Sequence, residues 1–229
     1  MTLSLLCVTC MYDRPKVSAI FLQGMRRLGI PVLAAVSDMA SKRLCIEKMR
    51  TMCIVVDNSP LGAKWNAVVK QALLFPSWTH LLISGDDDLY SDEFLQRIEE
   101  FQDNPFIGIE STYMVSPQEK HALHFRYNHG VGIAMGGGRV LKREVVEKMG
   151  GVLYDATQNK SLDHVGDMML MEKGYMPVII DTDKTLCVSV KAHRNIWPLS
   201  NFKDIAPKVD YELALSILPE RERRMIDGL

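Results

Sequence analysis

The sequence predicts an α/β fold with a mixed, mostly parallel central sheet flanked by helices. Three observations carry that class. Over residues 1–110, short apolar runs alternate with stretches whose apolar residues recur at helical spacing. The apolar runs end in polar residues, which gathers polar groups along one edge of the sheet, where open α/β sheets bind ligands. The fourth run, Leu81-Leu82-Ile83, ends in Ser84-Gly85 and then three adjacent carboxylates, Asp86, Asp87 and Asp88.

The first strand covers residues 3–9, and Tyr12-Asp13-Arg14-Pro15 is a turn that launches a helix. Val17, Ile20, Phe21, Met25 and Leu28 lie on one face of that helix, spaced for burial, and Gly29 ends it. Residues 31–36 form a second strand leading to Ser37-Asp38, and residues 52–56 a third leading to Asp57-Asn58-Ser59-Pro60. After Leu61-Gly62 a helix carries Trp65, Val68, Val69, Ala72 and Leu73 inward and stops before Pro76. Ser91 caps the helix that follows the aspartates, with Asp92 and Glu93 in its first turn, and Asn104-Pro105 terminates it.

From Phe106 the pattern becomes mixed. A strand runs to about residue 109, a polar segment holds His121, His124 and His129, and an apolar run over 131–135 precedes Gly136-Gly137-Gly138. Helices are expected over about 142–149, ending at Gly150-Gly151, and over about 163–173, ending at Gly174. Short strands follow at 178–181 and 186–190, then an amphipathic segment near 209–218 and a charged end over 220–224. The expected organisation is a single domain in three successive parts, residues 1–110, residues 111–195 and a helical tail over 196–229.

Charged residues make up 24% of the chain and the formal net charge is -1, so no global basic field for nucleic acid exists. Five cysteines without paired spacing read as reduced thiols, the state of a cytoplasmic setting. Cys7 and Cys10 form a C-x-x-C, but residues three apart on a strand face opposite sides, which argues against zinc or redox chemistry. No apolar stretch approaches the ~18 residues of a membrane span, and no signal segment opens the chain. The expectation is a cytoplasmic protein without a membrane span. Oligomeric state is not readable.

Three like charges on consecutive residues repel, so a site that gathers them supplies a cation or several donors. Hard carboxylate oxygens suit Mg²⁺ or Mn²⁺. The other reading is an acidic turn capping the next helix. Asp163 and Asp167, four apart, share a helix face, and one of them is a candidate general base. His193 follows a predicted strand, with Lys191 and Arg194 beside it as phosphate partners. His121, His124, Phe125, Arg126, Tyr127 and His129 lie in a stretch read as a loop, whose aromatic and basic groups suit an acceptor, a nucleic-acid one included.

Taken together, residues 3–193 resemble the nucleotide-sugar glycosyltransferases of the GT-A fold, and among them the large inverting family two. Thr9, Tyr12, Arg14 and Pro15 are similar to the turn after that family's first strand, and Asp38 stands where its second strand presents an acid to the nucleobase. Asn58, Gly62 and Asn66 resemble the segment lining its nucleotide pocket, with Lys64 beside them to meet a phosphate. The aspartate triplet occupies the place of the D-x-D motif. The resemblance implies that Asp86 contacts the ribose side, that Asp86 and Asp88 hold Mn²⁺ or Mg²⁺ with His193, and that Asp87 lines the donor site. It also implies that Gly137 lets backbone approach the donor sugar, and that Asp163, or Asp167, is the base. Gly150-Gly151 and Tyr154-Asp155 are similar to the family's Gly-Gly-Phe-Asp stretch. The chain departs from the family at Gly85 and Leu162, where acids are usual.

The function so implied is metal-dependent transfer of a sugar, with inversion, from a nucleoside diphosphate sugar, UDP first among the donors, to a hydroxyl acceptor. A saccharide and a hydroxymethylated nucleic-acid base are among the acceptor candidates. The alternatives are a sugar nucleotidyltransferase of similar fold and a non-catalytic nucleotide-sugar binding module. Against the nucleotidyltransferase, Cys10-Met11-Tyr12-Asp13-Arg14 is not the Gly-rich, basic loop that class carries after its first strand.

Overall fold

The computed structural model describes residues 3–127, 134–192 and 198–229. Strands β1 (Leu5–Met11), β2 (Val32–Val36), β3 (Met52–Val55) and β4 (His80–Ile83) run parallel, and their continuous apolar runs suit strands covered on both faces. The crossovers are α1 (Pro15–Arg27), α2 (Met39–Arg43) with a π-helical turn over Leu44–Met49, and α3 (Leu61–Ala72). Pro15 opens α1 at a position where a missing N–H costs nothing.

After β4 come β5 (Asp88–Tyr90), α4 (Asp92–Phe101), β6 (Phe106–Gly108), β7 (Ser111–Ser116) and β8 (His121–Arg126). Then follow β9 (Arg139–Lys142), α5 (Arg143–Lys148), α6 (Leu162–Met171), β10 (Val178–Ile179) and β11 (Cys187–Val190). A 3₁₀ turn over Leu199–Phe202, β12 (Lys208–Val209), α7 (Tyr211–Leu215) and α8 (Glu220–Asp227) complete the chain.

The central sheet has the order β10-β6-β9-β4-β1-β2-β3, with β9 antiparallel to both neighbours. Its two faces bury separate cores. One joins Cys7, Phe21, Met25, Leu82, Phe94 and Ile226, and the other Leu6, Val8, Val68, Leu81, Leu141, Leu153 and Tyr154. Among the described residues, no helix is long and apolar enough to cross a membrane.

Two expectations change here, and two further segments gain definition. Residues 88–90 are the edge strand of a second sheet, β12-β8-β7-β11-β5, which pattern alone did not reveal. The stretch with His121 and His124, read as a loop, is the strand β8, paired antiparallel to β7, while His129 and 131–133 lie outside the described residues. Residues 39–49 are helical. The charged end is a docked helix: Ile226 of α8 is fully buried, and Glu222 pairs with Arg27 of α1, Nε to Oε1 at 2.6 Å.

Candidate active site

Strands β1 and β4 are parallel neighbours, so their carboxyl ends lie side by side and bring Met11–Arg14 next to Ser84–Asp88. Backbone alternation then sends consecutive aspartates to different partners. Asp86 is fully buried: one carboxylate oxygen accepts from the Arg14 guanidinium and the other from the Ser18 hydroxyl of α1. Asp87 Oδ2 lies 3.2 Å from both Arg14 Nη1 and Lys191 Nζ. Asp88 Oδ2 accepts the Gly85 N–H at 3.1 Å.

These surroundings push two adjacent carboxylates apart. Burial raises Asp87, but Lys191 and Arg14 outweigh it and hold the group down at about 2. Burial, reinforced by the charge of Asp87, pushes Asp88 up to about 7 against Lys191, Ser189 and the Gly85 N–H. Asp88 is therefore a carboxylate whose charged form needs a cation, as Asp87, held by Lys191 and Arg14, does not.

Glycines connect this triplet to helix α6. A Cβ on Gly137 would stand 2.2 Å from Asp88 Oδ2, and a Cβ on Gly136 would stand 2.2 Å from Asp163 Oδ1. Two consecutive residues without side chains thus make room for the two carboxylates. With adjacent Cα atoms about 3.8 Å apart, the carboxylates lie within roughly 11 Å of each other. Asp163 sits half-buried in the first turn of α6.

Asp167 turns into the protein instead. It is fully buried, with Oδ1 2.9 Å from Arg139 Nη2 and Oδ2 accepting the Ala134 N–H at 2.9 Å. Burial pushes it up to about 6 in spite of Arg139.

The remaining expected donor-site residues divide. Lys64 is buried at the end of β1, its ammonium donating to the Met11 carbonyl at 2.8 Å and to Asn58 Oδ1 at 3.1 Å, with burial lowering its pKa. Arg14, Asn58 and Lys64 therefore gather where β1 ends. Asp38 caps α2 through the Ser41 N–H at 2.8 Å and also accepts the Asp13 N–H at 3.0 Å, tying the Arg14 turn to β2. Thr9 lies inside the sheet at 0% exposure, its Oγ1 without a hydrogen-bond partner among the described residues.

Gly62 and Asn66 turn toward the protein. Asn66 donates to the Tyr154 carbonyl at 2.7 Å and accepts the Leu153 and Tyr154 N–H groups at 3.0 and 3.1 Å, which occupies its amide with backbone. A Cβ on Gly62 would stand 1.9 Å from the Asp155 carbonyl oxygen. Both residues fix the segment that leads into α6. Gly62→Ala is expected to lower stability by about 1–3 kcal/mol through overpacking against backbone. A thermal melt unchanged from wild type would contradict that.

His193 and Arg194 lie outside the described residues. His124 pairs its Nε2 with Thr185 Oγ1 at 2.8 Å and packs on Tyr113, so its ring serves the second sheet. Two residues gain weight from the geometry. Ser18 was not singled out by pattern because its α1 position reads as ordinary helix surface. Arg139 is the largest fully buried side chain among the described residues, and its sequence signal is a cation heading the apolar run Val140-Leu141.

The resemblance stated from sequence implies a divalent cation, and the donor set can be tested for it. Asp86 does not fit, since Arg14 and Ser18 take both of its oxygens. Asp87 Oδ1 and Asp88 Oδ2 both come within 2.8 Å of the point where a Cβ on Gly85 would stand, a cradle left open by the missing side chain. Two carboxylates completed by donor phosphates are a usual Mg²⁺ set. By these contacts Asp87 and Asp88 fit a cation better than Asp86 does. Among the described residues no group of three or more His, Cys, Asp and Glu side chains could hold a metal on its own.

No family model matches the sequence, and no curated protein does. Solved structures do. TarS residues 1–349 from S. aureus superposes with a TM-score of 0.55 at 11% identity, covering 82% of this chain and 60% of that one. The same protein in complex with UDP-GlcNAc gives 0.55 at 12% identity, covering 98% and 70%. The inositol-1-phosphate CTP transferase from T. maritima gives 0.52 at 11% identity, covering 98% and 96%. The chain thus spans between 60% and 70% of the TarS fragments. At such identity the likeness establishes the fold: a mixed α/β, GT-A-like sheet flanked by helices.

Proposed function

We propose that this protein is a glycosyltransferase that moves a sugar from a nucleoside diphosphate sugar, UDP being the first candidate, to a hydroxyl acceptor. One observation carries the reading: the consecutive glycines Gly137 and Gly136 pack directly against the carboxylates of Asp88 and Asp163, which brings a candidate donor-side acid and a candidate base to one turn. An in-line displacement needs a leaving-group site and a base near one reacting carbon, and these two carboxylates lie within roughly 11 Å of each other. Two of the solved relatives are described as complexes with UDP and with UDP-GlcNAc, which supports this donor class.

In this reading the donor diphosphate lies at the carboxyl ends of β1 and β4, within reach of Lys191. Arg14 and Ser18 hold Asp86, which fixes the loop that presents Asp87 and Asp88. A divalent ion held by Asp87 and Asp88 would offset the charge on the departing diphosphate. The sugar is placed beside the Gly136-Gly137 turn, whose missing side chains leave room for the Asp88 and Asp163 carboxylates that act on it. The acceptor oxygen bonds to the anomeric carbon, the bond from that carbon to the diphosphate breaks, and the acceptor proton passes to Asp163. Attack from the face opposite the leaving group inverts the anomeric configuration. Asp167, locked to Arg139, is not the base.

The T. maritima relative favours a second reading on one count, since the two chains cover each other almost fully. A nucleotidyltransferase would bind a nucleoside triphosphate in preference to a diphosphate. Calorimetric titration of UDP, GDP, CDP and ADP, and of CTP and UTP, with and without Mn²⁺, separates the two. Metal-dependent binding of one diphosphate is expected, weakened at least about tenfold by Asp88→Asn. Preference for a triphosphate would favour the second reading, and absence of any binding would sink both.

A further inference from the structure

We propose that Arg139 is a positioning residue that holds the base and the glycine platform in mutual register; this rests on the transferase reading above. Its guanidinium is almost fully buried at 1% exposure and reaches both parts. Nε donates to the Met135 carbonyl at 2.8 Å, while Nη2 donates to the carbonyl of Ala134 at 3.0 Å and to that of Asp163 at 2.7 Å. The same Nη2 faces Asp167 Oδ1 at 2.9 Å, and Asp167 returns to the platform by accepting the Ala134 N–H at 2.9 Å. One side chain thus anchors the two residues before Gly136 and the backbone of the candidate base itself.

Space for this clasp comes from α6. A Cβ on Gly166 would stand 3.2 Å from Arg139 Nη1, 3.1 Å from the Leu153 carbonyl oxygen and 3.0 Å from the Tyr154 ring. A planar fork donates to three carbonyls in fixed directions while its charge faces the Asp167 carboxylate, whereas a lysine presents one point charge on a flexible stem. Loss of register matters because a displacement of about 1 Å at a reacting group costs on the order of 10²-fold in rate.

Arg139 touches neither donor nor acceptor in this scheme. It acts through Asp163, so its effect vanishes when Asp163 no longer takes a proton. That coupling separates positioning from simple loss of stability, which would act regardless of the base.

The test is a kinetic double-mutant cycle with Arg139→Lys, Asp163→Asn and the double variant. It reads release of nucleoside diphosphate from UDP-glucose, UDP-galactose and UDP-N-acetylglucosamine with Mn²⁺, water serving as acceptor, alongside diphosphate affinity by calorimetry and exchange of backbone amides over 134–138 and 161–167. Arg139→Lys is expected to lower kcat about 10²-fold, with affinity within threefold of wild type and faster exchange in both segments. In the Asp163→Asn background the same change is expected to cost less than threefold. A full 10²-fold loss in that background, wild-type kcat in Arg139→Lys, or a parallel loss of diphosphate affinity would each overturn the proposal. A wild type that binds no diphosphate and turns over no donor removes the transferase reading and this inference together; wild-type turnover with an unaffected Arg139→Lys removes only the inference.

Discussion

Replacing Asp163 by Asn is expected to lower the transfer rate by about 10²–10⁴-fold, the usual worth of a positioned general base, while leaving diphosphate affinity at its wild-type value. The substitution keeps the shape of the side chain and removes its capacity to take a proton. Asp163 can be changed without disturbing its surroundings because the clasp from Arg139 holds its carbonyl, not its carboxylate. The half-buried carboxylate packs against Gly136, while Asp88 packs against Gly137. Rate and affinity should therefore separate: Asp163→Asn loses turnover and keeps the diphosphate, whereas Asp88→Asn loses the diphosphate. Steady-state kinetics with calorimetry on both variants checks this. Full turnover in Asp163→Asn would remove the residue from the mechanism and leave the glycine platform without a base.

The parallel strands were legible because burial on both faces leaves a continuous apolar record, as in Val32–Val36. The second sheet was not, because β7 and β8 interleave Thr112, Tyr113, His121 and His124 with apolar residues, and β5 is only three residues long. The aspartate triplet could be located from sequence, yet its roles could not be divided. Asp86 is claimed by Arg14 and Ser18, 72 and 68 positions away, and Asp87 by Lys191, 104 positions away. Such partners set which oxygen remains for a cation, and no local pattern records them. Gly62 and Asn66 share a helix face, and spacing alone cannot tell whether that face meets a nucleotide or the segment at Leu153–Asp155. Arg139 was hidden for a related reason: three of its four partners are backbone carbonyls, which carry no residue identity.

Arg139→Met is expected to cost about 3–5 kcal/mol of stability near pH 8, because it strands the buried charge of Asp167 with the Ala134 N–H as its remaining partner. Adding Asp167→Leu should restore most of that loss, since a buried ion pair replaced by apolar groups of similar volume is often neutral or stabilising. The pH dependence follows from Asp167. Burial raises its carboxyl from an ordinary value of 3.8 to about 6 in the folded protein. A raised carboxyl binds its proton more tightly folded than unfolded, so its favourable contribution is complete below the unfolded value and is lost as pH rises through about 6. Removing Arg139 takes away a charge that opposes this shift, so the loss moves to still higher pH. The Arg139→Met penalty should therefore be smaller at pH 5, where Asp167 can be neutral, than at pH 8. Urea denaturation of wild type, single and double variants at both pH values measures it. An equal penalty at both would mean that Asp167 carries no stranded charge. If the double variant regains stability but not turnover, the ion pair is kept for the geometry it imposes on Gly136 and Asp163, at a cost to stability that the apolar replacement avoids.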